Sequence, residues 1–283
     1  MLRKAVFLSW ILLCPCAFCY GQLTFLGVNG ERGYSALRSN YVWDLDNNLI
    51  LTPSYEFYRM SDDSEVERTG ATYRYGLNAS YDLSECWRVG AQSFWQPKAV
   101  GHQAVRYAAG FTWSPFYRYG WIKDPYLGAQ LGQAHYKTWR DVGGSPLPHV
   151  YKQAETNLQL AAGAEVGPWN LKGSWQKVIQ YNNRVRPDVS FSWADIPFMT
   201  AVVQGFVREA AACRVSYPTG VLDPYLVAAR YQYAQTSHPA AAVGAGVRVG
   251  WEGTLFSCGI EVFEPRREEA RKTFFSMSVE ITF

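Results

Sequence analysis

The sequence TFFSMSVEITF, residues 273–283, alternates apolar and polar side chains over most of its length. One set of alternate positions holds Phe275, Met277, Val279, Ile281 and Phe283, and the other holds Phe274, Ser276, Ser278, Glu280 and Thr282. Because successive side chains of a strand point to opposite faces, this pattern predicts a strand with one apolar face and one mostly polar face. Its length matches the ~9–11 residues that a tilted strand needs to cross a bilayer.

This terminal strand resembles the closing strand of bacterial outer-membrane β-barrels, in which the last residue is read by the insertion machinery. The resemblance implies that Phe283 is an insertion signal and that the barrel-assembly machinery is a partner. It also implies that the protein lies in the outer membrane of a diderm bacterium, surrounded by outer-membrane lipids. The resemblance extends over the mature chain as a pattern, and it identifies no particular family.

The first residues have the layout of a secretory signal peptide. Arg3 and Lys4 precede an apolar stretch over residues 5–18, and Gly21 is a small residue at a suitable cleavage point. We therefore predict a cleaved signal over residues 1–21 and one barrel domain over residues 22–283. The alternative is a buried N-terminal helix of a soluble protein. Lipid attachment at Cys19 is disfavoured, because Phe18 occupies the position where a small residue is expected.

Composition agrees with a barrel. No segment after the signal reaches the ~18 consecutive apolar residues of a transmembrane helix, and the mean hydropathy is −0.19. A membrane protein without such a segment has to be a closed barrel, because lipid offers no water to satisfy open sheet edges. With 27 basic and 24 acidic residues, nothing indicates a nucleic-acid partner. The aromatic content of 16% is typical of proteins with side chains at membrane interfaces.

Alternating runs recur along the chain, separated by short turns and longer polar loops in alternation. The clearest run covers residues 71–83, where Tyr73, Tyr75 and Leu77 oppose Arg74, Gly76 and Asn78. With both termini on the periplasmic side, every long loop falls outside, as in known barrels. We predict an all-β fold, a closed antiparallel transmembrane β-barrel of about 14–16 strands and an even number. Sixteen requires short strands at residues 189–194, 199–207 and 210–217, and losing or fusing two of them gives fourteen.

The alternation also predicts which side chains face lipid. In the run at residues 225–234 we expect Tyr225, Val227, Ala229, Tyr231 and Tyr233 to face outward. In the run that begins near residue 125 we expect Leu127, Ala129 and Leu131 to face outward. Three cysteines follow the signal, and Cys213 and Cys258 should face lipid as free thiols, with a structural disulfide as the less favoured alternative.

The inward positions are the candidates for function. The predicted lumen-lining residues are Arg74, Arg88, Arg106, Arg230, Arg248, Glu165, Glu261 and Glu280. Because basic groups that line a water-filled pore favour anions, the first hypothesis is a porin-like diffusion channel for small polar or anionic solutes. The alternative is that these arginines pair with carboxylates and fill a closed, packed lumen.

Two other functions are weaker expectations. The histidines His102, His135, His149 and His238 all fall at the predicted extracellular end. With Ser145 and Ser237 nearby they suggest a rim-site lipid-modifying enzyme, but no motif places a carboxylate partner. The charged loops at residues 61–70 and 265–272 suggest a surface interaction or structural protein. We predict no enzymatic activity, no metal and no cofactor.

Overall fold

Strands make up nearly all of the described chain in the computed structural model. It describes residues 21–30, 34–46, 48–60, 70–99, 102–115, 118–119, 121–140, 149–182, 198–199, 207–233, 239–264 and 271–283. The strands are β1 (Gly21–Gly30), β2 (Ser35–Asp46), β3 (Leu49–Met60), β4 (Gly70–Ser84), β5 (Trp87–Ala99), β6 (His102–Trp113), β7 (Arg118–Tyr119), β8 (Ile122–Arg140), β9 (His149–Val166), β10 (Trp169–Tyr181), β11 (Val207–Ser216), β12 (Leu222–Tyr233), β13 (Pro239–Trp251), β14 (Thr254–Glu264) and β15 (Lys272–Thr282).

The sheet closes into a ring of fourteen antiparallel strands. Apart from β7, each strand pairs with the next one along the chain, so that β6 pairs with β8, and β1 pairs with β15 to close the ring. The two-residue β7 lies outside the ring and pairs only with the start of β8. The predicted closed barrel with an even strand number is therefore confirmed, at the lower end of the predicted range. Of the three short strands that sixteen required, the run at 210–217 belongs to β11, and residues 189–194 lie outside the described residues.

The closing strand has the predicted orientation. Phe275 and Met277 are exposed on the outer surface, whereas Phe274 and Ser276 are buried on the lumen side. On the lumen side, nearer the chain termini, Gln22 donates a side-chain hydrogen bond to Glu280 across the β1–β15 seam. The seam therefore holds a polar pair inside and apolar side chains outside.

The connections divide the barrel into two ends. Four hairpins, at β2–β3, β4–β5, β9–β10 and β13–β14, have two-residue turns at the same end as Gly21 and Phe283, which we call the turn end. In the last of these, Glu252 and Gly253 both have positive φ angles, 44° and 79°. Positive φ at both central residues defines a type I′ turn, whose twist matches that of the flanking strands. The opposite end is the loop end; it holds the long connections β3–β4, β8–β9, β10–β11 and β14–β15 and also the two-residue β5–β6 connection.

Exposed aromatic side chains form a girdle around the turn end. Its members are Trp87, Trp113, Trp121, Trp169, Tyr217, Trp251 and Phe283. Some are in contact: the Trp169 and Tyr217 rings are 5.0 Å apart and edge-on. Above them the outer surface is apolar, with Leu127 and Leu131 on β8 facing outward as predicted. Such a girdle next to an apolar band is typical of the membrane interface of a transmembrane barrel.

The free cysteines follow the prediction. Cys213 and Cys258 are exposed on the outer face, and neither is in a disulfide. Cys86 is also free and lies in the β4–β5 turn. Among the residues that the structure describes, no helix is long and apolar enough to span a membrane.

One strand has the opposite register to the one predicted. On β12, Tyr225 lies opposite Gly246 and Tyr231 lies opposite Ala240, all on the lumen side. Arg230, predicted to line the lumen, lies opposite Ala241 and is exposed on the outer surface. Both faces of this strand carry apolar side chains, so alternation alone did not distinguish them. The aromatic face points inward because the lumen near the loop end is packed and buries it.

The β12 register predicts two very different stability effects. Tyr231 is 1% exposed, so Tyr231→Ala should lower the free energy of unfolding in detergent by about 3–5 kcal/mol, as for other large buried side chains. Arg230→Ala on the adjacent outward position should change it by less than ~0.5 kcal/mol. Chemical unfolding followed by circular dichroism measures both. A larger loss for Arg230→Ala than for Tyr231→Ala would show that the register is reversed.

Candidate functional site

The structure places the predicted lumen residues at two levels of the barrel. Seven of them face inward on alternating positions of their strands, and Arg230 is the exception described above. Arg74, Arg106 and Glu261 are buried in the half of the lumen nearer the loop end. Arg88, Arg248, Glu165 and Glu280 lie in the half nearer the turn end. The two halves have different chemistry, and the predicted arginines therefore do not form one ring.

An apolar cluster packs the loop-end half. It contains lumen-facing residues of β11, β12 and β13, among them Val207, Val227 and Ala242. Tyr231 lies in this cluster, with its ring 5.7 Å from that of Phe263 and nearly edge-on. On the other side of the β1–β15 seam, a second cluster contains Val28, Tyr34, Ala36 and Phe274.

The connection between β10 and β11 contributes to this packing. Its described residues are Asn182, directly after β10, and Phe198 and Met199; Met199 is only 6% exposed within the apolar cluster, and Phe198 packs against that cluster. Since the other members of that cluster face the lumen, these two side chains lie inside the barrel. Phe198 has a φ of 73°, a left-handed backbone conformation that is unusual for a bulky residue. The Phe198 and Met199 side chains thus narrow the lumen from within.

The buried arginine Arg74 of the loop-end half is neutralised by an ion pair. Arg74 Nη2 lies 2.6 Å from Glu56 Oε2, and Arg38 Nε lies 3.7 Å from Glu56 Oε1. The Arg74 guanidinium also lies over the Phe94 ring, 5.1 Å from its centre. Arg74 therefore has the paired, structural environment that was the alternative to a pore-lining role.

A second buried network surrounds Glu155 in the same half of the lumen as Arg106. The Glu155 carboxylate accepts hydrogen bonds from Tyr136 Oη at 2.7 Å and from Asn157 Nδ2 at 3.1 Å. Buried charges need such partners because desolvation is costly. Arg106 faces the lumen on β6, separated from Glu155 by Ala134 of β8, and no ion pair within 4.0 Å joins the two in the described chain. Glu155 was not predicted as a lumen residue. Extending the alternation of the predicted strand at residues 157–166 backwards by two positions would have placed it on the inward face.

The turn-end half holds a polar cavity of about 290 Å³. Its lining includes Asn78, Ser80, Arg88, Thr112, Gln130 and Gln159. Here Arg88 is held by Asp82, with Nε 2.5 Å from Oδ1 and Nη2 3.0 Å from Oδ2. This two-bond pairing fixes the guanidinium and cancels its charge.

Three cations line the opposite part of the turn-end half, with a tyrosine between them. We use the name basic wall for these four residues, which are Lys172, Arg214, Arg248 and Tyr225. Lys172 and Arg214 lie directly opposite each other on β10 and β11. The Tyr225 ring, on β12, has the Arg214 guanidinium 4.1 Å from its centre and that of Arg248, on β13, 5.9 Å away. Stacking on an aromatic face stabilises a guanidinium without neutralising it.

Glycines on the neighbouring strands make room for Tyr225. A methyl group at Gly246 would lie 2.4 Å from the tyrosine hydroxyl, and one at Gly259 would lie 2.6 Å from it. Real side chains do not approach this closely, so the ring needs these positions to lack a Cβ atom. Gly246 on β13 and Gly259 on β14 thereby let the Tyr225 ring lie flat along the inside of the barrel, beside Arg214 and Arg248.

The cations of the basic wall lack acidic partners in the described part of the chain. None of Lys172, Arg214 and Arg248 has a carboxylate oxygen within 4.0 Å there. Arg214 Nη2 is buried and makes no hydrogen bond. Asp223 lies opposite Arg248 in register, but its Oδ1 accepts a hydrogen bond from the Thr219 backbone at 3.0 Å. The basic wall therefore presents three cations to the lumen without a direct ion pair in the described chain.

The sequence predicted this wall only in part. Arg248 was a predicted lumen residue, whereas Tyr225 was predicted to face lipid and Lys172 was not identified. The signal that would have found Tyr225 is the run of small residues at alternate positions of β13, since Gly244 and Gly246 leave space for a large inward side chain on a neighbouring strand.

The histidines do not form a site in the described residues. His135 is exposed on the outer face of β8, next to the Tyr107 ring, and His149 is exposed at the start of β9. The side chain of His102, like Ser145, Ser237 and His238, lies outside the described residues. Within the part of the chain that is described, no three histidine, cysteine or acidic residues are grouped as metal ligands would be.

Solved structures with a similar fold are outer-membrane barrels. The CymD monoaromatic hydrocarbon channel superposes with a TM-score of 0.52 at 11% identity, over 94% of this chain and 88% of that one. CdiB from Acinetobacter baumannii gives 0.53 at 9% identity, over 94% of this chain but 60% of CdiB, so this chain spans less than two thirds of its length. Pseudomonas putida OprB gives 0.47 at 7% identity, over 94% of both chains.

The sequence comparisons add no relative. No protein-family model matches the chain, and no curated protein matches it. The structural neighbours share the barrel architecture, and at these identities they establish the fold alone.

The two kinds of arginine pair predict different stability effects. Glu56→Gln leaves Arg74 buried without its counter-charge and should lower the free energy of unfolding by about 3–5 kcal/mol. Asp82→Asn breaks the more exposed pair with Arg88 and should cost no more than ~1 kcal/mol. Urea unfolding of the folded barrel in detergent compares them. Equal losses for the two variants would mean that Arg74 is not a buried structural charge.

Proposed function

We propose that the chain is an outer-membrane channel through which small anionic or polar solutes diffuse. The basic wall is the observation that supports this function most directly. Lys172, Arg214 and Arg248 bring three positive charges to one side of the lumen, and no described carboxylate neutralises them. Charges on low-dielectric walls attract counter-ions and raise their local concentration. Anions therefore gain more than cations by entering from the turn end.

The outer surface supports placement in the bacterial outer membrane. An apolar band with an aromatic girdle at the turn end is suited to contact with lipid. The side chain of Phe283 is exposed at this end, while its backbone nitrogen donates a hydrogen bond of 2.9 Å to the Gly21 carbonyl. We propose that this exposed terminal aromatic residue is what the barrel-assembly machinery reads.

The packed loop-end half sets the expected size of the channel. The apolar cluster and the side chains of Phe198 and Met199 occupy space that an open porin leaves to water. Solutes passing this level would have to be small, and conductance should be low. We do not extend to this chain the hydrocarbon carried by CymD, because the turn-end half is lined by cationic and polar groups.

A second candidate function follows from the same packing. A barrel whose loop-end half is filled by buried ion pairs and apolar side chains can serve as a closed structural or surface interaction protein. Single-channel recording of the purified barrel in planar bilayers distinguishes the two. Absence of conductance steps at any voltage would favour the closed barrel and eliminate the channel.

The charge of the basic wall can be tested by ion selectivity. The double variant Arg214→Gln, Arg248→Gln should lower the chloride-over-potassium permeability ratio by at least about two-fold. Both removed charges act on the lumen within a Debye length of ~10 Å at 0.1 M salt. Reversal potentials under a potassium chloride gradient measure the ratio. The matched control is Arg59→Gln, which removes a cation from the outer face of β3. An equal change of the permeability ratio in the control and in the double variant would show that the basic wall does not determine ion selectivity.

The inward connection can be tested by conductance. Phe198→Gly with Met199→Ala removes two side chains from the lumen and should increase single-channel conductance. Met277→Ala removes a side chain of the same type from the outer face, where it contacts lipid, and should leave conductance unchanged. If the first variant conducts like the wild type, these side chains do not limit the pore.

A further inference from the structure

The outer surface of β8–β12 changes from apolar to basic towards the loop end. Its outward side chains there include four lysine and arginine residues and one histidine. They are His135 and Lys137 on β8 with Lys152 on β9, and, six and eight register positions nearer the turn end, Lys177 on β10 and Arg230 on β12. We call this group the outer basic patch. It lies on the outside of the barrel and is distinct from the basic wall of the lumen.

Two lysines of the outer basic patch face each other directly. Lys137 and Lys152 are register partners on adjacent strands, and both side chains are exposed. Like charges in directly opposed positions of a sheet destabilise it. His135 lies two residues from Lys137 on the same face of β8, which adds a further nitrogen donor. An anion bound between these groups would convert the repulsion into attraction.

The outer basic patch is poorly neutralised by the protein itself. Glu209 on β11 is the one carboxylate among the described outward residues of β8–β12 at this level. It accepts a hydrogen bond of 2.9 Å from Trp175 Nε1, and its other oxygen lies 3.7 Å from Lys177 Nζ. In the described part of the chain, His135, Lys137, Lys152 and Arg230 have no carboxylate oxygen within 4.0 Å.

The outer basic patch is confined to one side of the barrel. The corresponding outward positions on β13, β15 and β1 hold Ala241, Thr273 and Asn29, which carry no charge. The β14 position opposite Ala241 holds Glu264, which pairs with Arg271. Arg59 on β3 faces outward without a second described cation beside it, and Lys98 on β5 lies over the Trp139 ring. The basic residues are therefore grouped, whereas scattered charges would be expected of an ordinary solvated rim.

The position of the patch along the strands indicates its partner. On β8 the outward side chains run from Leu127 and Leu131 to His135 and Lys137, and on β12 Arg230 follows Leu226 and Ala228. Lys177 and Arg230 therefore lie at the margin of the apolar band, and His135, Lys137 and Lys152 lie beyond it towards the loop end, on the side where lipid headgroups are expected. Lysine and arginine donate charge-assisted hydrogen bonds to phosphate oxygens, and arginine does so with two parallel bonds.

We propose that the outer basic patch is a binding site for the phosphoryl groups of anionic lipids in the leaflet around the loop end. The lipid phosphate would lie between Lys137 and Lys152, and the remaining cations would hold neighbouring headgroups. This site requires a lipid-embedded barrel and does not require that the lumen conducts. Loss of conductance and loss of lipid binding are therefore separate outcomes.

Native mass spectrometry of the full-length folded chain in detergent tests the site. Diphosphoryl lipid A is titrated as the anionic probe and phosphatidylcholine as the zwitterionic one. The wild type should retain lipid A preferentially. The variant with Lys137→Gln, Lys152→Gln, Lys177→Gln and Arg230→Gln should bind it at least about ten-fold more weakly, since each cation near a lipid surface contributes about five-fold. Arg59→Gln should remain within about two-fold of the wild type, as one distant charge.

Three results would overturn the site. Equal retention of the two lipids by the wild type is one, and equal loss of lipid A binding in Arg59→Gln is another. The third is a shift between monomer and dimer in the patch variant with unchanged lipid binding, which would make this surface a contact between copies of the chain. If the four-residue variant does not fold, as judged by heat-modifiable electrophoretic mobility, Lys152→Gln is compared with Lys152→Arg, and only the arginine variant should retain wild-type affinity.

Discussion

The pairing of the first and last strands is the interaction on which the rest of the structure depends. From Gln22 opposite Thr282 to Gly30 opposite Phe274, β1 and β15 join the two edges of the sheet. A bilayer offers no water to backbone N–H and C=O groups, so an open edge there would be prohibitively unfavourable. Closure also separates inside from outside, so that each strand has one face towards the lumen and one towards lipid.

Closure leaves the lumen to side-chain chemistry, and this chain uses its cations there in two ways. In the loop-end half, Arg74 is paired with the largely buried acid Glu56 and stabilises a packed interior. In the turn-end half, Arg214 and Arg248 are held beside the Tyr225 ring, which supports their positions while leaving their charge available to a solute. The difference lies in the partners of each guanidinium and not in the residue type.

The sequence predicted most of the fold and only part of the candidate site. On β4 and β15, one face is apolar and the other polar, so the register followed from alternation. On β12, both faces include apolar residues, and the side that faces inward is set by the glycines of β13 and by the apolar cluster. As a result, Tyr225 was wrongly predicted to face lipid and Arg230 to face the lumen, although Arg248 on the next strand was oriented correctly. Residue type therefore identified candidate charges better than it identified their partners.

The sequence by itself determined that the chain is a closed barrel with its hairpin turns at one end, because side-chain period and turn spacing are local properties of a strand. Tertiary structure decided which charges are neutralised, which connection enters the lumen and which side of the barrel is basic outside. These depend on contacts between residues far apart in sequence. Glu209 reaches Lys177 across adjacent strands, and Met199 packs against Tyr231 inside the ring. No local pattern specifies such pairs, since they exist only once the ring has closed.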